Sequence, residues 1–173
     1  MKFKVIIFLL LLMLSSCSFN SNEKLLGDDF HLFENTAAWP LAVAVEKEDV
    51  VEIRKQIVCK KIPVDFKEET YGQTLLMLAV RNNKEKSVAE LLSLGANPNI
   101  TDSKNKSSGQ NAVLIASRFS KPSVKILSLL LEFGGNPNST ECGKTKDNLE
   151  NDVKARSFAL YEAVFIDFEK VKL

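Results

Sequence analysis

The chain has 173 residues, 45% of them hydrophobic and 26% charged, with 23 Lys+Arg against 22 Asp+Glu. That balance, with no dense Lys/Arg block, excludes the basic stripe of a nucleic-acid-binding protein. The supply of aliphatic residues excludes a disordered chain. One His and three Cys leave little material for a metal centre or an acid–base pair.

At the N-terminus, Lys2 and Lys4 precede an apolar stretch from Val5 to Leu14, which runs into Leu14-Ser15-Ser16-Cys17. This stretch is shorter than the roughly 20 residues a membrane-spanning helix needs. It has the length and flanks of the apolar region of a secretory signal peptide. Leu-Ser-Ser-Cys resembles the lipobox of bacterial lipoproteins. The resemblance implies that residues 1–16 are a signal peptide and that Cys17 is lipidated and becomes the first mature residue. Two or three acyl chains, at about 0.8 kcal/mol per buried CH2, make a stable membrane anchor. Ser18 stands where an Asp usually retains such proteins at the inner membrane, so the outer membrane, facing the periplasm, is the expected address. Residues 17–35 are expected to hold the lipid anchor, a polar tether over Ser18 to Asn22, and a short lead-in helix bearing Leu25, Leu26, Phe30 and Phe33.

The remaining sequence repeats itself. Gly72-Gln73-Thr74-Leu75-Leu76-Met77-Leu78-Ala79 is followed by Val88, Leu91-Leu92 and Gly95-Ala96-Asn97-Pro98-Asn99. The same order returns in Asn111 to Ala116, Val124, Leu129 to Leu131, and Gly134-Gly135-Asn136-Pro137-Asn138. Small residues that end the first helical turn fall at Ala44, Ala79, Ala116 and Ala163, spaced 35, 37 and 47 apart. The pattern resembles the ankyrin repeat, including Trp39-Pro40-Leu41-Ala42-Val43-Ala44, which keeps the Pro and Leu of that family's Thr-Pro-Leu-His motif. The resemblance implies an all-α solenoid of paired antiparallel helices with turn and loop fingers over residues 36–173. Repeats are expected at about 36–68, 69–101 and 102–140, with a partial fourth at 157–173 after an inserted loop at 141–156. Phe119 to Ser123 lengthens one link by about two residues. The short fourth repeat would leave an apolar side open, to be covered by further chain or by a partner.

Ala79 and Ala116 should be small because neighbouring first helices approach closely there. Gly95 and Gly134 should take the left-handed conformation just past the second helices. Pro98 and Pro137 keep those helices from resuming.

Reactive constellations are scarce. Gly143-Lys144-Thr145 lacks the Gly five positions earlier that a phosphate loop needs, since Asn138 stands there. His31 has no nucleophile or carboxylate that the sequence places beside it. Cys59 and Cys142 belong to separated repeats and are expected to stay unbridged. No metal site, cofactor or small-molecule substrate is expected, and no enzymatic activity.

In ankyrin arrays, recognition generally uses the turn tips and the exposed side of the first helix. Carried over to this chain, the resemblance points to Glu46, Lys47, Tyr71, Gln73, Arg81, Asn82, Gln110, Arg118 and Phe119 as candidate partner-binding residues. The expected function is a non-catalytic, membrane-anchored scaffold that binds another protein in the bacterial envelope. Its sharper form is an immunity protein against a periplasm-acting effector, and the alternative is an envelope chaperone or stress-protection factor.

Overall fold

The computed structural model describes residues 27–102, 109–118 and 123–139. Among these residues the chain forms six α-helices in three pairs and no strand longer than the single antiparallel bridge between Lys67 and Thr74. The pairs are α1 (Trp39–Glu46) with α2 (Val50–Arg54), α3 (Leu75–Arg81) with α4 (Glu85–Ser93), and α5 (Ala112–Arg118) with α6 (Val124–Glu132). The expected signal peptide and Cys17, the link residue Phe119, the loop at 141–156, Cys142, Ala163 and the partial fourth repeat lie outside the described residues.

Local chemistry starts most of these helices. Pro40 lies in the first turn of α1, where its missing N–H leaves no hydrogen bond unmade. Asp49 accepts from the Glu52 N–H at 3.0 Å, Asn111 from Leu114 at 2.9 Å and Ser123 from Ile126 at 3.3 Å. Each side chain thereby satisfies a backbone donor that the helix itself cannot. Thr74 does the same for Met77 at 3.4 Å, a longer bond.

The first helices, α1, α3 and α5, lie side by side in one layer, and α2, α4 and α6 form a second layer beside it. Leu75 to Val80 and Ala112 to Ser117 are buried throughout; α3 lies between α1 and α5, α5 packs on α3, and their own second helices cover both. Ala44, Ala79 and Ala116 are 3%, 0% and 0% exposed, as close packing of the first layer requires. A short 3-10 turn, Phe30–Phe33, covers α1 at the start of the stack and buries Phe30, Leu32 and Phe33. The 3-10 turn is the described part of the expected lead-in helix, whose Leu25 and Leu26 lie outside the described residues. Gly27 and Asp28 form a turn and Asp29 is extended, so the helical spacing of Phe30 and Phe33 continues into no longer helix.

Two kinds of hydrogen bond tie each repeat to the next. Asp65 Oδ1 accepts from the Asn97 N–H at 3.1 Å, and one repeat on, Asn99 Oδ1 accepts from Asn136 at 2.8 Å. Asn99 Nδ2 also donates to the Gly134 carbonyl at 2.8 Å. In the links between paired helices, Glu48 Oε1 accepts from the Lys86 N–H and Asn83 Oδ1 from Ser123, each at 2.8 Å.

The second helices end as the sequence implies, with one exception. Gly95 and Gly134 have φ of 92° and 83°, and the residue after each donates back to Leu91 and Leu130. In the first repeat Lys61 occupies this left-handed position at φ 60°, and Ile62 reaches back to Gln56, one residue further. The extra residue is absorbed by a π-helical turn, Lys55–Cys59, that continues α2.

Candidate interaction surface

The candidate residues fall on equivalent places of successive repeats. Glu46, Arg81 and Arg118 are the last residues of α1, α3 and α5, and Lys47 and Asn82 are the C-caps that follow α1 and α3. Glu46 and Lys47 are exposed, whereas Tyr71, Arg81, Asn82 and Arg118 are half-buried.

Two candidates are corrected by the structure. Gln73 and Gln110 are 3% and 7% exposed, so neither side chain is offered to a partner. Both instead close a hairpin. The Gln73 N–H donates to the Glu68 carboxylate at 2.8 Å, and its carbonyl accepts from the Glu68 N–H at 3.0 Å. Gln110 and Asp102 repeat the arrangement at 2.7 and 2.8 Å. Glu68 also accepts from the backbone N–H groups of Thr70 and Tyr71, which explains how a fully buried carboxylate is tolerated. Tyr71 meanwhile rests against the hydrophobic core.

Arg81 is largely a seam residue between repeats. Its Nη2 lies 3.4 Å from Gln110 Oε1. Burial lowers its pKa, with the neighbouring Arg118 acting in the same direction and Asp102 and Asp28 opposing it. Asn82 Nδ2 is engaged too, donating to the Asp28 carbonyl at 2.8 Å and to that of Leu78 at 3.1 Å.

The Asn82–Asp28 bond draws the residues before α1 across the ends of the first helices. An open cleft of about 340 Å3 results, lined by Asp28, Asp29, Phe30, Glu46, Asn82 and Lys84. Its wall carries three carboxylates against the single Lys84 ammonium. At its edge His31 Nδ1 lies 2.8 Å from Asp29 Oδ1, which raises the imidazole pKa from its ordinary 6.5, and the His31 ring sits 5.3 Å from that of Trp39. Among the described residues no group of three His, Cys, Asp or Glu side chains is disposed to hold a metal, and no helix is long and apolar enough to cross a membrane.

Asp28 and Asp29 carry no repeat signature, and Lys84, in the charge run Lys84-Glu85-Lys86, reads from sequence as part of a solvated face. Their place on the surface follows from how the lead-in segment folds, which its own composition does not reveal. Glu68 and Asp102 did leave a signal. An acidic residue recurs 34 positions on, each time upstream of Gly-Gln.

No curated protein matches the chain. Residues 6–102 match the family described as ankyrin repeats (3 copies). The match opens inside the apolar stretch Val5 to Leu14, where a signal peptide is expected, and closes at the hairpin before α5, so it takes in two of the described helix pairs. The third pair, beyond the matched span, stacks on the second through the same layer contacts, and Asn99 accepts from Asn136 where Asp65 accepts from Asn97 one repeat earlier. Over more than half its length, then, the chain belongs to the ankyrin-repeat family, whose arrays generally mediate protein–protein interaction.

Proposed function

We propose that this protein is a lipid-anchored ankyrin scaffold of a bacterial envelope, tethered through Cys17, that captures one protein partner at the acidic cleft beside Glu46 and Asn82. Its role would be that of an immunity protein, covering the working surface of an effector that acts in the periplasm. The observation that carries this reading is the cleft itself. It joins two candidate residues from adjacent repeats to Asp28 and Asp29, and its excess of carboxylates selects an Arg or Lys side chain from the partner. Buried Arg anchors are frequent binding hot spots, and an open cleft of this size admits one.

The test is purification of the protein from its native envelope with identification of what remains bound, followed by affinity measurement with charge-reversed variants. The expected result is a one-to-one, salt-sensitive complex with a single toxin. In that complex Asp28→Lys with Glu46→Lys, both at exposed positions, would weaken binding by about tenfold or more. Several weak clients, indifferent to these changes, would instead indicate an envelope chaperone and overturn the immunity role. The anchor is tested separately, since Cys17→Ala should release the protein from the membrane fraction.

A further inference from the structure

The second-helix layer of the first repeat has an apolar stripe that the second repeat lacks. Val51 is 79% exposed and Val58 48% exposed. With Phe133, which follows α6, they are the exposed large hydrophobic residues among those described, and all three belong to the second layer. Val51, Arg54, Lys55 and Val58 succeed one another at helical spacing along the outward side of α2 and its π turn, while Ile53 and Gln56 face inward. In α4 the positions 35 residues on from the two valines are Lys86 and Ser93, so the second repeat does not carry the stripe.

Charge accompanies the valines. Lys55 Nζ is held by Glu52 at 2.9 Å and Arg54 Nη2 by Glu90 at 2.8 Å. Lys60 and Lys61 follow the π turn, both are exposed, and among the described residues neither lies within ion-pair distance of a carboxylate. The stripe is therefore apolar at its centre and net positive at its end.

We propose that this stripe docks on an anionic lipid surface, with Val51 and Val58 entering the headgroup boundary and Lys60 and Lys61 paired with lipid phosphates. Its chemistry favours lipid over protein. Lysine is depleted from protein interface cores, and the Trp and Tyr that dominate their energetics are absent from this face. Lysine next to a bilayer keeps its ammonium among headgroups while its stem covers apolar surface. Two valines and two free lysines bind weakly alone, but a second, weak signal beside an acyl chain sets the orientation of an anchored protein. The inference thus rests on the Cys17 anchor reading for its setting. Docked this way, the protein would hold its second layer against the membrane.

Cys59, an exposed free thiol within the stripe, permits a direct test. The mature chain, beginning at position 17 and carrying Cys17→Ser and Cys142→Ser, bears an environment-sensitive fluorophore on Cys59. A second preparation with Cys59→Ser carries it on Glu46→Cys instead. Each is mixed with phosphatidylcholine vesicles, with or without phosphatidylglycerol, that contain nitroxide-labelled lipid. The expected result is quenching at Cys59 with the anionic vesicles alone, little quenching at position 46, and a loss of about fivefold or more with Lys60→Glu and Lys61→Glu. Equal quenching at both positions, quenching unaffected by the charge reversals, or none at Cys59 overturns the proposal. Failure of the anchor reading shows elsewhere, as Cys17→Ala protein that stays in the membrane fraction.

Discussion

Lys61 holds a backbone conformation that its equivalents, Gly95 and Gly134, reach without a side-chain clash. A non-Gly residue there costs about 1–2 kcal/mol, partly offset by the greater freedom that Gly has in the unfolded chain. Lys61→Gly is therefore expected to stabilise the protein by about 0.5–1 kcal/mol, seen as a higher urea midpoint at unchanged slope. At His31 the prediction concerns pH. The Asp29 hydrogen bond raises the imidazole pKa above 6.5 against the opposing effect of burial, with the charges of Asp29, Glu34 and Glu46 adding lesser upward contributions. The stabilisation from protonated His31 is thus full below the ordinary value and is lost as pH rises through the raised one. An NMR titration should give a midpoint above 6.5, moved downward by Asp29→Asn. Legibility at this scale depended on whether a residue's role was local. The glycine positions, set by backbone conformation, could be read directly. Gln73 and Gln110 could not, because a polar residue at a turn looks exposed until the carboxylate that it closes over is located.

The three second helices begin differently although they do the same work. Asp49 and Ser123 cap α2 and α6 with a side-chain oxygen, while α4 starts from Lys84, which makes no capping bond and places a cation where the helix dipole favours an anion. Lys84→Ser is expected to raise stability by about 0.5–1 kcal/mol and to make the cleft more acidic. Thermal denaturation checks the first effect. Tighter binding of a basic partner peptide checks the second. Helix pairing itself was legible because Ala, Leu-Leu and Gly-x-Asn-Pro-Asn recur in fixed order. The π turn was not legible. Ala44 and Ala79 are 35 apart, whereas Lys61 and Gly95 are 34 apart, and the difference has meaning only once Lys61 is known to take the glycine's place. A similar shift hid in the third repeat. Glu68 and Gln73 are five apart but Asp102 and Gln110 eight, so three added residues lie in that hairpin as well as those in the link.

In a stack of this kind each repeat touches only its neighbours, so stability is close to a sum of repeats and interfaces. Asn99 lies at one such interface. Its side chain accepts from Asn136 and donates to the Gly134 carbonyl, joining the second repeat to the third, whereas Asp65 joins the first to the second by acceptance alone. Removing both bonds with Asn99→Ala should cost about 1–2 kcal/mol, at the modest end because the residue is exposed and water can replace its partners. The cost should also be local. Hydrogen exchange is expected to quicken by about tenfold in α5 and α6, whose opening no longer breaks the ladder, while α1 to α4 keep their protection. Equal loss across all six helices would mean that the array opens as one cooperative body. In that case the acidic cleft, built at the first two repeats, would depend for its shape on the third.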